Sequence, residues 1–403
     1  MRVLCVGNMY PPHHLGGYEL VWQGAVRHLR AAGHDVAVLT TDHREQGVEE
    51  PDEPGVHREL RWWWRDHAWP RQSPRARLAV ERHNAAVFDR ILKTDSPDAV
   101  AWWAMGGMSL SLIARAAREG LPASAFVHDD WLVYAQDVDR WTAPFRRRRR
   151  LGAAVERVTG IPTRFEPEVV ESWWFVSDHI RRTAIDAGVA LRRTGLASSG
   201  IDASFIGPAA PRTWEWRLLY VGRIDERKGT ATAVRALAEL PAEATLSVVG
   251  DGDAAHLREL HELAARLGVG DRVRFEPARP RAELPAVYDA HDATVFPVTW
   301  HEPWGLVPLE AMARGRPVAA TARGGSAEYL RDGENCVLFE PGDAGSLASA
   351  LRRVAGDGEL RDRLGKQGLA TASEHTEARF HAAVASALEE LDGLRRPQRR
   401  SGG

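Results

Sequence analysis

The stretch RLLYVGRIDERKGTATAVRALAEL (217–240) reads as a strand, a loop and a helix in succession. RLLYVG (217–222) is a short apolar run closing on glycine, as a buried strand does, and TATAVRALAEL (230–240) carries its apolar residues at helical spacing. The same alternation continues downstream. ATLSVVG (244–250) is a strand, AAHLRELHELAARLG a helix, and RVRF, ATVFP and PVAAT are further strands. It is already present upstream in RVLCVG (2–7), DVAVLT (35–40), DAVAWW (98–103), ASAFV (123–127) and SWWFVS (172–177). After the first strand, a Pro/Gly loop leads into a helix with Val21, Ala25, Leu29 and Ala32 along one face, ending at Gly33. Alternating signals of this kind predict an α/β chain with parallel sheets covered on both faces.

Because the pattern restarts at residue 217, two Rossmann-like domains are expected, joined through the Gly- and Pro-containing segment GIDASFIGPAAPRTWEW (200–216). The expected division is 1–205 for the first domain and 206–375 for the second. Residues 376–403 form a helix returning toward the first domain, with RRPQRRSGG as a frayed tail. Open parallel sheets bind ligands beyond the carboxyl ends of their strands, which directs attention to the loops there.

Composition narrows the class. A chain of 403 residues is too long for one ordinary core. Hydrophobic content of 44%, charged content of 27% and a formal charge of −2 describe a soluble globular protein with no overall attraction for nucleic acid. No apolar run reaches the roughly 18–20 residues of a membrane span, and the apolar part of MRVLCVGNMYPP is far too short for a signal peptide. Cys5 and Cys336 lie in apolar runs, so buried reduced thiols and a cytoplasmic location are expected.

The chemistry concentrates on a few loops. In HEPWGLVPLE (301–310), Glu302 and Glu310 flank Pro303, Gly305 and Pro308, which do not suit one continuous helix. A loop from ATVFP through Glu302, then a helix starting near Val307 or Pro308, puts Glu310 in the first turn. The free N–H groups of Trp304 to Val307 then make an anion site. Carboxylates accept hydrogen bonds from hydroxyls, so a ligand carrying hydroxyls, phosphates and hydroxyls again fits: a nucleotide sugar. The bland alternative makes Glu302 a loop cap and Glu310 a dipole residue. In YVGRIDERKGTATAV (220–234), Arg223 and Lys228 lie close to a helix N-terminus, where cations are disfavoured unless an anion sits between them. Only Lys93, Lys228 and Lys366 among the 53 basic residues are lysines, so an ammonium at 228 is either a requirement or chance.

Gly16 and Gly17 permit close ligand approach and positive φ in the first βα loop. No G-x-G-x-x-G accompanies them, which counts against a dinucleotide oxidoreductase. His128, ending the strand before FVHDDW, is either a cleft residue or a satisfied structural histidine. Asp129–Asp130 and DGD (251–253) are not assigned a metal, and VVGDGD reads as a turn.

Taken in order, PPHHLGG, HDD, GRIDERKG, EPWGLVPLE and EAMARGRPVAATARGGSAEYL make the chain resemble, over nearly its whole length, the retaining GT-B glycosyltransferases of family 4, also called glycosyl transferases group 1. The resemblance implies two Rossmann-like domains facing across a cleft. It implies a retaining, metal-independent hexosyltransferase using a nucleotide-diphosphate sugar and no cofactor, with a small-molecule, glycan, aromatic or lipid acceptor. By position it implies that Arg223 and Lys228 grip the diphosphate, Glu310 binds the ribose and Glu302 the sugar hydroxyls. Backbone groups of Trp304, Gly305 and Leu306 line sugar and phosphate, Gly16 and Gly17 close over the diphosphate, and His128 lies near the transferred sugar. Two departures stand out. Pro277 replaces a glycine near the base pocket, and Trp304 replaces a common phenylalanine, which implies a reshaped sugar pocket.

A sugar-nucleotide epimerase or hydrolase on the same architecture is the alternative, and a non-catalytic sugar-nucleotide binder a third reading. Neither donor base, sugar nor acceptor is specified by these motifs. In ELRWWWRDHAWP (59–70), alternation along a strand leaves some of Trp62, Trp63 and Trp64 exposed for an acceptor, or else packed under a long loop. The run Arg146–Arg150 reads as a site for an anionic acceptor or membrane phosphates, or as a solvated helix face.

Overall fold

The computed structural model describes residues 1–64, 68–207 and 213–400, with backbone only for 394–400. The chain divides into two units, Met1–Ser198 with Phe380–Gly403, and Ser199–Arg379. The division therefore falls at Ser198/Ser199, against an expected 205/206, and the chain rejoins the first unit at Phe380, against an expected 376. The join expected near residue 210 lies outside the described residues.

In the first unit, β1 (Arg2–Val6), β2 (Asp35–Thr41), β3 (Val56–Leu60), β4 (Ala99–Trp102), β5 (Ala123–Val127), β6 (Ser172–Phe175) and β7 (Thr194–Leu196) form one sheet. Its order is β3-β2-β1-β4-β5-β6-β7, with every pairing parallel. The central strands are buried on both faces, which is why they read as unbroken apolar runs. In the helix Gly17–Ala31, Val21, Trp22, Ala25, Val26 and Leu29 are buried; Val21, Ala25 and Leu29 were expected on this face, whereas Ala32 caps the helix and is exposed.

In the second unit, β8 (Arg217–Val221), β9 (Thr245–Val249), β10 (Val273–Glu276), β11 (Ala293–Phe296), β12 (Val318–Ala320) and β13 (Val337–Leu338) make a parallel sheet ordered β10-β9-β8-β11-β12-β13. Leu218, Leu246, Val248, Val295 and Ala319 join Val234, Leu237, Leu347 and Leu351 of the covering helices in its core. Fully burying one such aliphatic side chain stabilises the fold by about 1.5–3 kcal/mol.

Both sheets share one topology. Strand order reverses beside the first strand of each unit, between β1 and β4 and between β8 and β11. Crossovers leave in opposite directions there and the loops splay apart, opening a crevice at the carboxyl ends. The loops after β8 and β11 are the ones that carry Arg223, Lys228 and Glu302.

The last helix runs Glu377–Arg400. It includes residues 395–400, expected as tail, while 401–403 lie outside the described residues. Phe380 of this helix packs edge-on against Trp103, and Ser124 Oγ donates to the Ala387 carbonyl at 3.4 Å.

Candidate active site

The loop after β8 is fixed by Asp225. Its carboxylate accepts from the Arg227 amide at 3.0 Å and pairs with Arg223 Nε at 3.1 Å. Burial alone would raise this carboxyl, but Arg227, Arg223 and Lys228 together hold it below the ordinary range. A short turn, Glu226–Lys228, leads to Gly229, which has φ +71° and starts the helix Thr230–Glu239. A Cβ on Gly229 would lie 1.9 Å from the Pro297 carbonyl oxygen. Glycine is thus required twice, by conformation and by the close approach of the loop after β11. That approach is locked by the Thr299 amide donating to the Arg227 carbonyl at 2.9 Å.

With the two loops in contact, Lys228 Nζ lies 2.7 Å from Glu302 Oε2, both side chains largely buried. The Trp300 indole N–H donates to the same oxygen at 2.9 Å, and its ring lies under Lys228 at 5.4 Å and Arg227 at 4.7 Å. The Glu302 backbone is held from β12, its carbonyl accepting from the Gly325 amide at 2.7 Å. Gly324, at φ +71°, approaches so closely that a Cβ would lie 2.4 Å from that carbonyl oxygen.

The following helix is Leu306–Ala313, with Gly305 at its N-cap and no side chain capping it. It starts earlier than the expected Val307 or Pro308, so Glu310 is in its second turn, a correction to the first-turn placement. Pro308 falls at the third helical position, where its missing N–H still costs no intrahelical bond. Glu310 is 5% exposed, and Tyr288 Oη donates to its Oε2 at 2.7 Å. Burial raises the Glu310 carboxyl above its ordinary range, opposed by the charge of Arg281 and by the Tyr288 hydrogen bond. The Trp304 ring is packed inside the second unit. It is 5% exposed, donates to the Ser199 carbonyl at 2.8 Å, and packs on Tyr329 and His375. Pro277 follows β10 and is exposed.

The remaining site candidates belong to the first unit, at the carboxyl ends of β1 and β5. Gly16 is the N-cap of the first helix with φ −147°, so positive φ does not explain it, and a Cβ there would meet Glu19 Oε2 at 3.3 Å. A Cβ on Gly17 would meet nothing within 4 Å. His128 stacks on Trp103 with ring centroids 5.7 Å apart and meets Phe380 edge-on. Neither ring nitrogen has hydrogen-bond geometry to a partner among the described residues. Burial pushes the imidazole down to about 4, so it is neutral near pH 7. Asp129 accepts from the Trp131 amide at 3.1 Å, and burial raises its carboxyl to about 6. The DGD segment is structural: Asp253 caps the next helix through the Ala255 and His256 amides, and Asp251 accepts from the Ala278 amide.

In the tryptophan segment the packed alternative holds for Trp62 and Trp63 rather than the exposed one. β3 ends at Leu60, so strand alternation no longer applies, and Trp62 and Trp63 are both buried. Trp62 donates to the Gly106 carbonyl at 3.0 Å, Trp63 packs with Trp141 and Ile161, and Trp64 leans on Trp62. Residues 65–67 of this segment lie outside the described residues. Sequence reasoning missed Trp300, Tyr288 and the Gly324–Gly325 pair. Two adjacent glycines in the loop after β12 were a usable signal for the last; the other two carry none without the topology.

Two family models match this chain: Glycosyl transferase 4-like domain over residues 16–185 and Glycosyl transferases group 1 over 208–371. Glycogen synthase of Mycobacterium tuberculosis is 31% identical over 384 residues, covering 89% of this chain and 86% of its own. The lipopolysaccharide core biosynthesis glycosyltransferase LpsE of Rhizobium meliloti is 39% identical over 151 residues; the match spans 38% of this chain and only 43% of LpsE. Among solved structures, Anabaena HepE in complex with UDP-glucose superposes with a TM-score of 0.70 at 20% identity, over 97% of this chain and 100% of that one. The chain belongs to the glycosyl transferases group 1 family and has the GT-B fold class. It is a glycosyltransferase.

Proposed function

We propose that the chain transfers a hexosyl group from a nucleotide-diphosphate sugar to an acceptor hydroxyl with retention of anomeric configuration. The observation that carries this reading is the Lys228–Glu302 pair, 2.7 Å apart, where the loops after β8 and β11 meet beside the strand-order reversal. Without ligand, ammonium and carboxylate satisfy each other. A donor offers both a better partner: its diphosphate to Lys228 and Arg223, its sugar hydroxyls to Glu302. Trp300 keeps the Glu302 carboxylate in place during the exchange. HepE supports the donor class, since its structure holds UDP-glucose. The family membership favours transfer over epimerisation or hydrolysis.

Charge develops on the departing diphosphate, and Lys228, Arg223 and the amides of Gly305 and Leu306 are the groups assigned to stabilise it. Preorganised donors of this kind are worth about 3–4 kcal/mol each in a water-excluded site. The departing phosphate takes the acceptor proton as the hydroxyl attacks the same face of the sugar, so neither a protein nucleophile nor a metal is assigned a step. Glu310, oriented by Tyr288, accepts from the ribose hydroxyls. Trp304, Gly305 and Leu306 act through their backbone. His128, neutral near pH 7, contacts the transferred sugar through a ring nitrogen, and Gly16 and Gly17 contribute open backbone to the diphosphate. The acceptor binds to the first unit and the donor to the second. The two buried free cysteines suit a reducing cytoplasm.

Incubating the chain with labelled UDP-, GDP-, dTDP- and ADP-sugars in EDTA, with and without glycan, lipid and small-molecule acceptors, tests this reading. An α-linked product from an α-linked donor supports it. Inverted product, free sugar or epimer alone, or transfer abolished by EDTA, contradicts it.

A further inference from the structure

We propose that the surface made by Arg146–Arg150 and the outer face of the helix Arg149–Thr159 docks the chain onto an anionic lipid bilayer. All five arginines are exposed. Arg146 pairs with Asp137, whereas Arg147 to Arg150 have no ion-pair partner among the described residues. The formal charge of the whole chain is −2, so this is a local concentration of charge rather than a basic protein. Arg149 and Arg150 open the helix, whose first turn holds no acidic residue and whose N-cap makes no side-chain bond. Cations there oppose the helix dipole, so they do not serve to stabilise the helix.

Packing fixes which face points outward. Gly152 is buried against Phe145 and Thr163, where a Cβ would lie 2.8 Å from Thr163 Oγ1. Glu156, one turn on, is tied to Arg118 and to the Thr163 amide. On the opposite side, Leu151, Ala154 and Val158 follow at i, i+3 and i+7 and form one stripe. Leu151 is 49% exposed and Val158 is 86% exposed. Arg150 and Arg157, seven residues apart, run along one edge of the stripe. An aliphatic stripe turned to solvent beside arginines reverses the ordinary pattern of a surface helix.

Charge and apolarity together select the occupant. A nucleic acid would neutralise the arginines and leave the stripe in water. A bilayer surface with anionic headgroups accepts both, phosphates against the guanidinium groups and the Leu151–Val158 stripe at the acyl boundary. Two aliphatic side chains anchor weakly alone, so binding must depend on lipid charge and on salt. This inference stands apart from the donor site, because none of these residues lies in it.

Sedimentation of the full chain with phosphatidylcholine vesicles, with and without about 30 mol% phosphatidylglycerol, is the test. Binding is expected to be at least about tenfold stronger with the anionic lipid and to collapse in about 0.5 M salt. A variant carrying Arg147→Gln, Arg148→Gln, Arg149→Gln and Arg150→Gln should lose binding while keeping its melting temperature. Leu151→Ser with Val158→Ser should weaken binding severalfold and leave a salt-sensitive remainder. No vesicle binding, equal binding to both compositions, an unaffected quadruple variant, or tighter binding to heparin or duplex DNA than to the vesicles would overturn the proposal.

Discussion

Lys228 Nζ meets Glu302 Oε2 at 2.7 Å across 74 residues of sequence, joining the first loop of the second unit to its fourth. The contact exists because β8 and β11 are neighbours although two strands separate them in the chain. Under the proposed function, the donor's diphosphate and sugar hydroxyls compete for this contact.

The two glutamates should separate by ligand. Glu302→Gln is expected to weaken binding of UDP-glucose about tenfold or more while leaving UDP nearly unaffected, since charged hydrogen bonds are worth about 1.5–3 kcal/mol. Glu310→Gln should weaken UDP and UDP-glucose equally. Isothermal titration calorimetry checks both, and an exchange of the two patterns would reverse the orientation of the donor.

Gly229→Ala should destabilise the second unit by about 2 kcal/mol or more. A left-handed conformation costs about 1–2 kcal/mol for an alanine, and the Pro297 carbonyl 1.9 Å from the new Cβ must also move. Urea unfolding followed by circular dichroism measures this. A loss below about 0.5 kcal/mol would mean that the two loops are not locked together.

How much of this was visible beforehand depended on how local the cause was. Central strands such as ASAFV and ATVFP were legible because strands buried on both faces are continuous apolar runs. β7 and β13, with three and two residues, and the polar edge strand VHREL left no such signal. Arg223, Lys228 and Glu302 stood out as charges at strand ends. Trp300, Tyr288 and Gly325 did not, since their roles come from partners brought by topology. For Trp62 and Trp63 the sequence left exposure and packing open, because strand alternation says nothing of residues past the end of β3. That the Trp304 indole N–H has a protein carbonyl to satisfy was equally invisible before the fold was known.

His128 predicts a pH dependence for the first unit. Burial lowers its folded value from 6.5 to about 4. The unfolded chain therefore binds a proton that the folded chain refuses between those values, and stability present above pH 6.5 is lost as pH falls toward 4. His381, stacked on His28 and also lowered to about 4, adds to the same trend. Eleven of the fifteen tryptophans precede residue 175, so tryptophan fluorescence reports mainly on this unit. Its melting temperature should fall between pH 7 and pH 4.5, and fall less in His128→Phe. An identical slope in the variant would remove His128 from the explanation.

The central claim is that Lys228 carries charge for the departing diphosphate. Its most direct test is the rate of nucleoside diphosphate release, in the presence of donor and acceptor, by Lys228→Ala protein whose circular dichroism spectrum matches the parent. We predict a fall in kcat of at least about a hundredfold, with Lys228→Arg failing to restore it because a guanidinium does not reproduce a compact ammonium. Turnover within a few-fold of the parent would contradict the assignment.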